Sequence, residues 1–249
     1  MPLTFTPRSA VAKGTAFIEV CGNHNLESDG MSHSSEGTSI NDLALQHWKR
    51  GNALFHKGDL DAGIKECREA LRLDPDLEEA HSALGVALSK QKRSREALNE
   101  FREAVRLAPK KARVHTRLAS QLIEVNRLEE ASKELDIALS LETDYPGTYY
   151  LLGVILERKG QHDASVNEYW KALDLDPQYA GAYLGLAIAL SHQDKLDAAL
   201  DKFLEARHLN PDLPGLQRGI GLIYLRKGQL GLALKEWLGR AKPNNQNAQ

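Results

Sequence analysis

From Ala44 onward the apolar residues recur with the 3.6-residue period of amphipathic helices, and the pattern is punctuated by glycines and prolines at regular distances. Taking Ala44 as position 1 of a 34-residue unit aligns the rest without insertion or deletion, with units starting at Ala44, Glu78, Ala112, Pro146, Ala180 and Pro214. Position 8 reads Gly51, Gly85, Ala119, Gly153, Ala187, Gly221, and position 20 reads Gly63, Ala97, Ala131, Ser165, Ala199, Ala233. Two columns of small residues let paired helices approach closely. Large residues fill the space beside them: position 11 holds Leu54, Leu88, Leu122, Leu156, Leu190 and Tyr224, and position 24 holds Cys67, Phe101, Leu135, Tyr169, Phe203 and Trp237. Proline at position 32 in four units (Pro75, Pro109, Pro177, Pro211) halts each second helix, because it has no N–H and disfavours helix in the residue before it. Thr143 and Asn245 stand there in units 3 and 6. Gly58, Gly160 and Gly228 at position 15 suit the turn between the paired helices.

This small, large, small, proline signature, complete for example in Gly153, Leu156, Tyr169, Ala172 and Pro177, resembles that of tetratricopeptide-repeat proteins. The resemblance covers residues 44 to about 241. It implies an all-α fold, a right-handed α-solenoid of six helix-turn-helix repeats whose first helices line a concave groove. The expected organisation is a flexible leader over 1–38, a repeat solenoid over 39–241 and a polar tail over 242–249. Each hairpin exposes apolar surface that only a neighbour can cover, so the ends are weak points. Leu232 and Leu238, at positions 19 and 25 of the last unit, would leave that end apolar and open to self-association or to a partner.

Composition agrees with helices: aromatic residues are 6% of the 249, low for a sheet protein. Two cysteines, Cys21 and Cys67, are too few for a disulfide framework and point to a reducing, cytoplasmic setting. No apolar run is long enough to be a signal h-region or to span a membrane. The first 38 residues are rich in Ser, Gly, Thr and Asn without helical period, and Met31 is expected to serve as an alternative translation start.

Catalytic signatures are missing. There is no P-loop, HExxH, nucleophile elbow or CxxC pair, and Gly219-Ile220-Gly221 lacks the third glycine of a dinucleotide fingerprint. The chain is therefore expected not to be an enzyme and to carry no cofactor and no metal. His47, His81 and His115 recur at position 4, but stacked helices lie about 8–10 Å apart, too far for a shared ion, so they are read as packing residues. Cys21 with His24 and His33 is too sparse for a metal site, and Cys67 falls in the large core column.

In the family that the sequence resembles, positions 2, 5, 9 and 12 of each first helix face the groove, a spacing that forms one helical face. Units 1–3 are mixed and polar there, including Trp48 and Asn52, whereas units 4–6 form an apolar trough with Tyr150, Val154, Leu184, Ile188 and Leu222 as candidate contacts. Some family members clamp a chaperone's C-terminal carboxylate; the matching positions here hold Trp48, Asn52, Ala83, Arg113 and Arg117. Asn52 and the two arginines suit an anion, while Trp48 and Ala83 depart from the Lys and Asn expected. The net charge of −2 conceals a balance of +7 from Lys90 to Arg117 and of −7 from Leu118 to Ala180. The function expected is a non-enzymatic scaffold holding a peptide or helical segment of a partner protein, acidic toward units 2–3 and apolar further on. The alternatives are an accessory subunit of a larger assembly or a co-chaperone-like carboxylate binder. Nucleic acid is not expected as a partner, since the basic run lacks interleaved aromatics.

Overall fold

A computed structural model describes residues 39–238. The expectations for the 1–38 leader, the Met31 start, Cys21 with its neighbouring histidines, Asn245 and the 242–249 tail lie outside the described residues. Among the described residues there are twelve α-helices and no strand. They run α1 Ile40–His56, α2 Leu60–Leu73, α3 Glu78–Lys90, α4 Ser94–Leu107, α5 Ala112–Glu124, α6 Leu128–Leu141, α7 Pro146–Arg158, α8 His162–Leu175, α9 Ala180–His192, α10 Leu196–Leu209, α11 Leu216–Arg226 and α12 Leu230–Leu238. The first helices of repeats 2–5 begin at Glu78, Ala112, Pro146 and Ala180, thirty-four residues apart.

The chain divides into two units at Thr143–Asp144. In the unit of repeats 1–3, α1 pairs with α2, α3 with α4 and α5 with α6, and each second helix also packs on the first helix that follows it. The first helices touch one another, α1 on α3 and α3 on α5, whereas the second helices do not. The unit of repeats 4–6 repeats this plan: α7, α9 and α11 touch in series, and α8 and α10 each bridge two first helices. Within each unit the first helices thus form the closer-packed inner layer. This is the helix-pair stacking of an all-α repeat solenoid.

The division falls where the repeat pattern lapses. Four of the connections between repeats contain proline and close as turns; in three of them an Asp or Asn side chain accepts from the backbone two residues on (Asp74 from Asp76, Asp176 from Gln178, Asn210 from Asp212). Residues 142–145 have Thr143 in place of proline and form an open bend with Glu142, Thr143 and Asp144 exposed.

The hairpin turns share one geometry. Position 15 has positive φ in all six repeats: Gly58, Gly160 and Gly228, but also Lys92 (64°), Asn126 (62°) and Asp194 (61°). The N–H of position 16 then bonds back to the carbonyl of position 11, as in Arg93 to Leu88 and Gln161 to Leu156, which satisfies a carbonyl that the helix end would leave open. At the start of α1, Ser39 and Asp42 form a reciprocal capping box. Gly215, at φ 93°, occupies the cap and starts α11 at Leu216.

The small columns do what their size allows. A Cβ on Gly153 would lie 2.6 Å from Cε1 of Tyr169, and one on Gly85 would lie 2.8 Å from Cε1 of Phe101. Tyr169 also backs onto the next repeat, where a Cβ on Gly185 would lie 2.5 Å from its Cζ; Phe203 makes the same approach to Gly219. Phe101, Tyr169 and Phe203 are among the largest fully buried side chains, each stabilising the fold by about 1.5–3 kcal/mol. Cys67 is buried at the same position in repeat 1, and burial pushes its thiol up to about 12.

Candidate partner-binding faces

Inner-layer side chains of α7, α9 and α11 differ in how much surface they offer. Tyr150 is buried, its ring 6.0 Å from that of Tyr169 and 5.1 Å from that of Tyr179, and Leu184 is buried as well. Both serve mainly as packing. Val154 and Ile188 are half-buried, and Leu222, one helical turn from Leu225, is exposed. Gly147 and Gly181 at position 2 are buried, so the surface belongs to positions 9 and 12. There Glu157 interrupts the apolar run, as a carboxylate only 7% exposed.

In the other unit Trp48, Asn52, Ala83, Arg113 and Arg117 are half-buried on α1, α3 and α5. Two of their donors, Trp48 Nε1 and Arg117 Nε, are buried without a hydrogen-bond partner among the described residues. Ser82, Thr116 and Ser120 on this face are buried. Within the basic run, Lys111, Arg93 and Arg106 make internal ion pairs. Lys111 Nζ donates to Glu78 Oε2 at 2.7 Å and Glu79 Oε1 at 3.2 Å, and Glu78 chiefly raises its pKa. Arg93 pairs with Glu96 at 2.6 Å, and Arg106 with Glu103 at 2.7 Å and Asp76 at 3.3 Å.

The recurrent histidines hold a structural bond. His47, His81 and His115 each place Nδ1 at 2.7–2.8 Å from a carboxylate nineteen residues on, Glu66, Glu100 and Glu134. In repeats 2 and 3, Nε2 also faces the carbonyl of the preceding Pro75 or Pro109, each at 3.0 Å. Each ring thus ties the two helices of its hairpin, and those of His81 and His115 also tie the loop before them. The partner glutamates form a column at position 23 that the sequence displays, yet only the pairing gives it meaning. A second ladder joins repeats: Gln91 donates to Asp61 at 2.7 Å, Gln193 to Asp163 at 2.8 Å, and Lys227 to Asp197.

On α12, the last of the described helices, apolar side chains are exposed. Leu230, Leu232, Leu234, Trp237 and Leu238 on α12 are 39–64% exposed, although Ala233 between them is fully buried. Among the described residues no helix is long and apolar enough to cross a membrane.

Family models of this architecture match most of the repeat region: a TPR repeat model over 51–92 and 155–194, and tetratricopeptide repeat models over 78–111 and 186–248. The chain belongs to the tetratricopeptide-repeat family, whose repeats build protein–protein interaction scaffolds. A chain of the APC/C hetero-tetramer Cut9-Hcn1 superimposes with a TM-score of 0.75 at 20% identity, covering 83% of this chain and 43% of its own. PilW, a type IV pilus biogenesis factor, gives 0.70 at 19% identity with 82% and 95% covered. PilF of Pseudomonas aeruginosa gives 0.67 at 20% identity with 83% and 95% covered. The chain therefore spans less than half of the first of these and nearly the whole of the other two. At such identities the likeness is one of fold. A comparison with curated proteins finds no matching sequence.

Proposed function

We propose that the chain is a non-enzymatic scaffold that holds a peptide or helical segment of a partner protein against its inner helix layer. The observation that carries this reading is the row of Val154, Ile188, Leu222 and Leu225. These apolar side chains keep surface on α7, α9 and α11, where the neighbouring Tyr150 and Leu184 are already buried in packing. An extended or helical ligand with apolar side chains would cover them, and apolar burial at about 25 cal/mol per Å² would supply the affinity. The test is capture of peptides from an array of the source organism's own proteome by the purified chain. Ile188→Ser with Leu222→Ser should abolish capture while helicity is kept; capture that survives the double change would show that this face is not the site.

The unit of repeats 1–3 supports a second contact of different chemistry. Arg117 Nε and Trp48 Nε1 are donors awaiting an acceptor, and Arg113 and Asn52 stand on the same helix layer. A carboxylate suits them, since a guanidinium binds it in a fork. An acidic peptide should bind more tightly with a free C-terminus than with an amidated one, and Arg117→Ala should erase the difference. Self-association through α12 belongs to the same reading, as an alternative use of an uncovered apolar end.

A further inference from the structure

The interruption of the apolar row by Glu157 has its own geometry. Glu157 lies on the last turn of α7, His162 opens α8, and His192 closes α9. One ligand-capable atom from each, a carboxylate oxygen and two imidazole nitrogens, falls within 4.8 Å of the others. Glu157 Oε1 is 2.9 Å from His162 Nδ1 and 3.7 Å from His192 Nε2, and the two rings sit 4.4 Å apart, tilted by 42°. In spite of the short approach, Glu157 Oε1 and His162 Nδ1 make no hydrogen bond among the described residues, and both atoms are buried. The other oxygen, Oε2, accepts from Ser165 Oγ at 3.0 Å, which fixes the carboxylate with Oε1 turned toward the imidazoles. A carboxylate more than nine-tenths buried with one oxygen unpartnered is costly unless something cationic meets it.

We propose that Glu157, His162 and His192 form a binding site for a divalent transition-metal ion, best matched by zinc, that pins repeat 4 to repeat 5. Two imidazole nitrogens and one carboxylate oxygen are a donor set that this class of ion takes and that magnesium or calcium does not favour. Ligand bonds of about 2.0–2.1 Å in a tetrahedron place donor atoms about 3.3 Å apart, and the observed 2.9 and 3.7 Å bracket that value. The hydrogen bond that Ser165 Oγ donates to Oε2 orients the carboxylate as metal sites require. The His192 side chain is 48% exposed, so the remaining coordination positions face solvent. Beside His162 opens a cleft of about 580 Å³, lined also by Asp163 and Gln193. Arg226 does not oppose the ion with an uncompensated charge, because it pairs with Asp194 at 2.8 Å.

The test uses the full chain, stripped with chelator and titrated with zinc by calorimetry and with cobalt by visible absorption. Wild type should bind one equivalent that His162→Gln combined with His192→Gln loses, and each single change should weaken zinc by about 100-fold. The cobalt complex should give the intense visible bands of a four- or five-coordinate site, absent in the double variant, while His81→Gln leaves stoichiometry and spectrum as in wild type. Circular dichroism reports whether each variant is folded. Should the double variant unfold, His192→Gln alone, at the exposed end of α9, carries the comparison. Equal stoichiometry in wild type and a folded double variant, or no zinc bound by wild type, overturns the site.

Discussion

His81 Nδ1 lies 2.7 Å from Glu100 Oε2 while its Nε2 lies 3.0 Å from the carbonyl oxygen of Pro75, so both ring nitrogens face acceptors. Only the imidazolium can donate to both. Burial works against that charge, but the hydrogen bonds to Glu100 and Pro75 and the nearby charges of Glu100 and Glu103 outweigh it and raise the pKa above the ordinary 6.5. His115 faces the same kind of acceptor pair, Glu134 Oε2 at 2.7 Å and the Pro109 carbonyl at 3.0 Å.

A pH dependence follows from His81. Because the folded-state pKa is the higher one, the proton's contribution to stability is complete below about 6.5 and disappears as pH rises through the raised value. Thermal unfolding midpoints should therefore fall between about pH 6 and about pH 8.5 by more in wild type than in His81→Tyr, which copies Tyr149 and Tyr183 of repeats 4 and 5. Equal slopes in the two proteins would remove His81 from the account.

Gly153→Ala should cost about 1–3 kcal/mol in urea denaturation, since the added Cβ would meet Tyr169 at 2.6 Å and that ring is enclosed on all sides. The reverse change at the same column, Ala119→Gly, removes only a methyl and should cost about 1 kcal/mol through helix propensity. A Gly153→Ala variant as stable as wild type would mean that the ring can yield.

At position 15 the expected signs are opposite for two residues that share one backbone conformation. Lys92→Gly relieves a side chain held at φ 64° and should gain about 0.5–1 kcal/mol, whereas Gly160→Ala, at φ 74°, should lose about 1 kcal/mol. Chemical denaturation of the two variants checks the pair.

Leu232→Glu with Leu238→Glu should abolish any concentration-dependent rise in mass measured by light scattering, because these side chains are 44% and 64% exposed on α12. The same double change should leave the unfolding midpoint within about 2 °C, as surface substitutions do.

Thr143→Pro should stabilise the chain by about 0.5–1 kcal/mol and slow proteolytic nicking between residues 142 and 144. Glu142, the residue before it, already has the extended backbone that proline demands of its predecessor. Faster cleavage or lower stability would show that Thr143 does not accept proline's φ.

Much of the architecture was legible because it depends on local sterics: a small residue at position 8, a large one at position 24 and a proline at position 32 are visible whichever neighbour they meet. The face was less so. Tyr150 and Leu184 share a helical stripe with Val154 and Ile188, and periodicity does not reveal that the Tyr179 ring lies against Tyr150. Likewise Glu157, His162 and His192 come from three helices and match no linear motif, so only the stacking of repeats brings them together. One relation was readable in principle: Tyr169 and Phe203 at position 24 are followed by glycine at position 6 of the next unit, Gly185 and Gly219, because that is where their rings rest.

That shared ring bears on how the second unit comes apart. Tyr169 is a wall of repeat 4 and of repeat 5 at once, so fraying cannot stop cleanly between them. Opening either hairpin uncovers the ring and takes away the other's support, and amide protons of α7 and α9 should exchange with solvent as a single cooperative block.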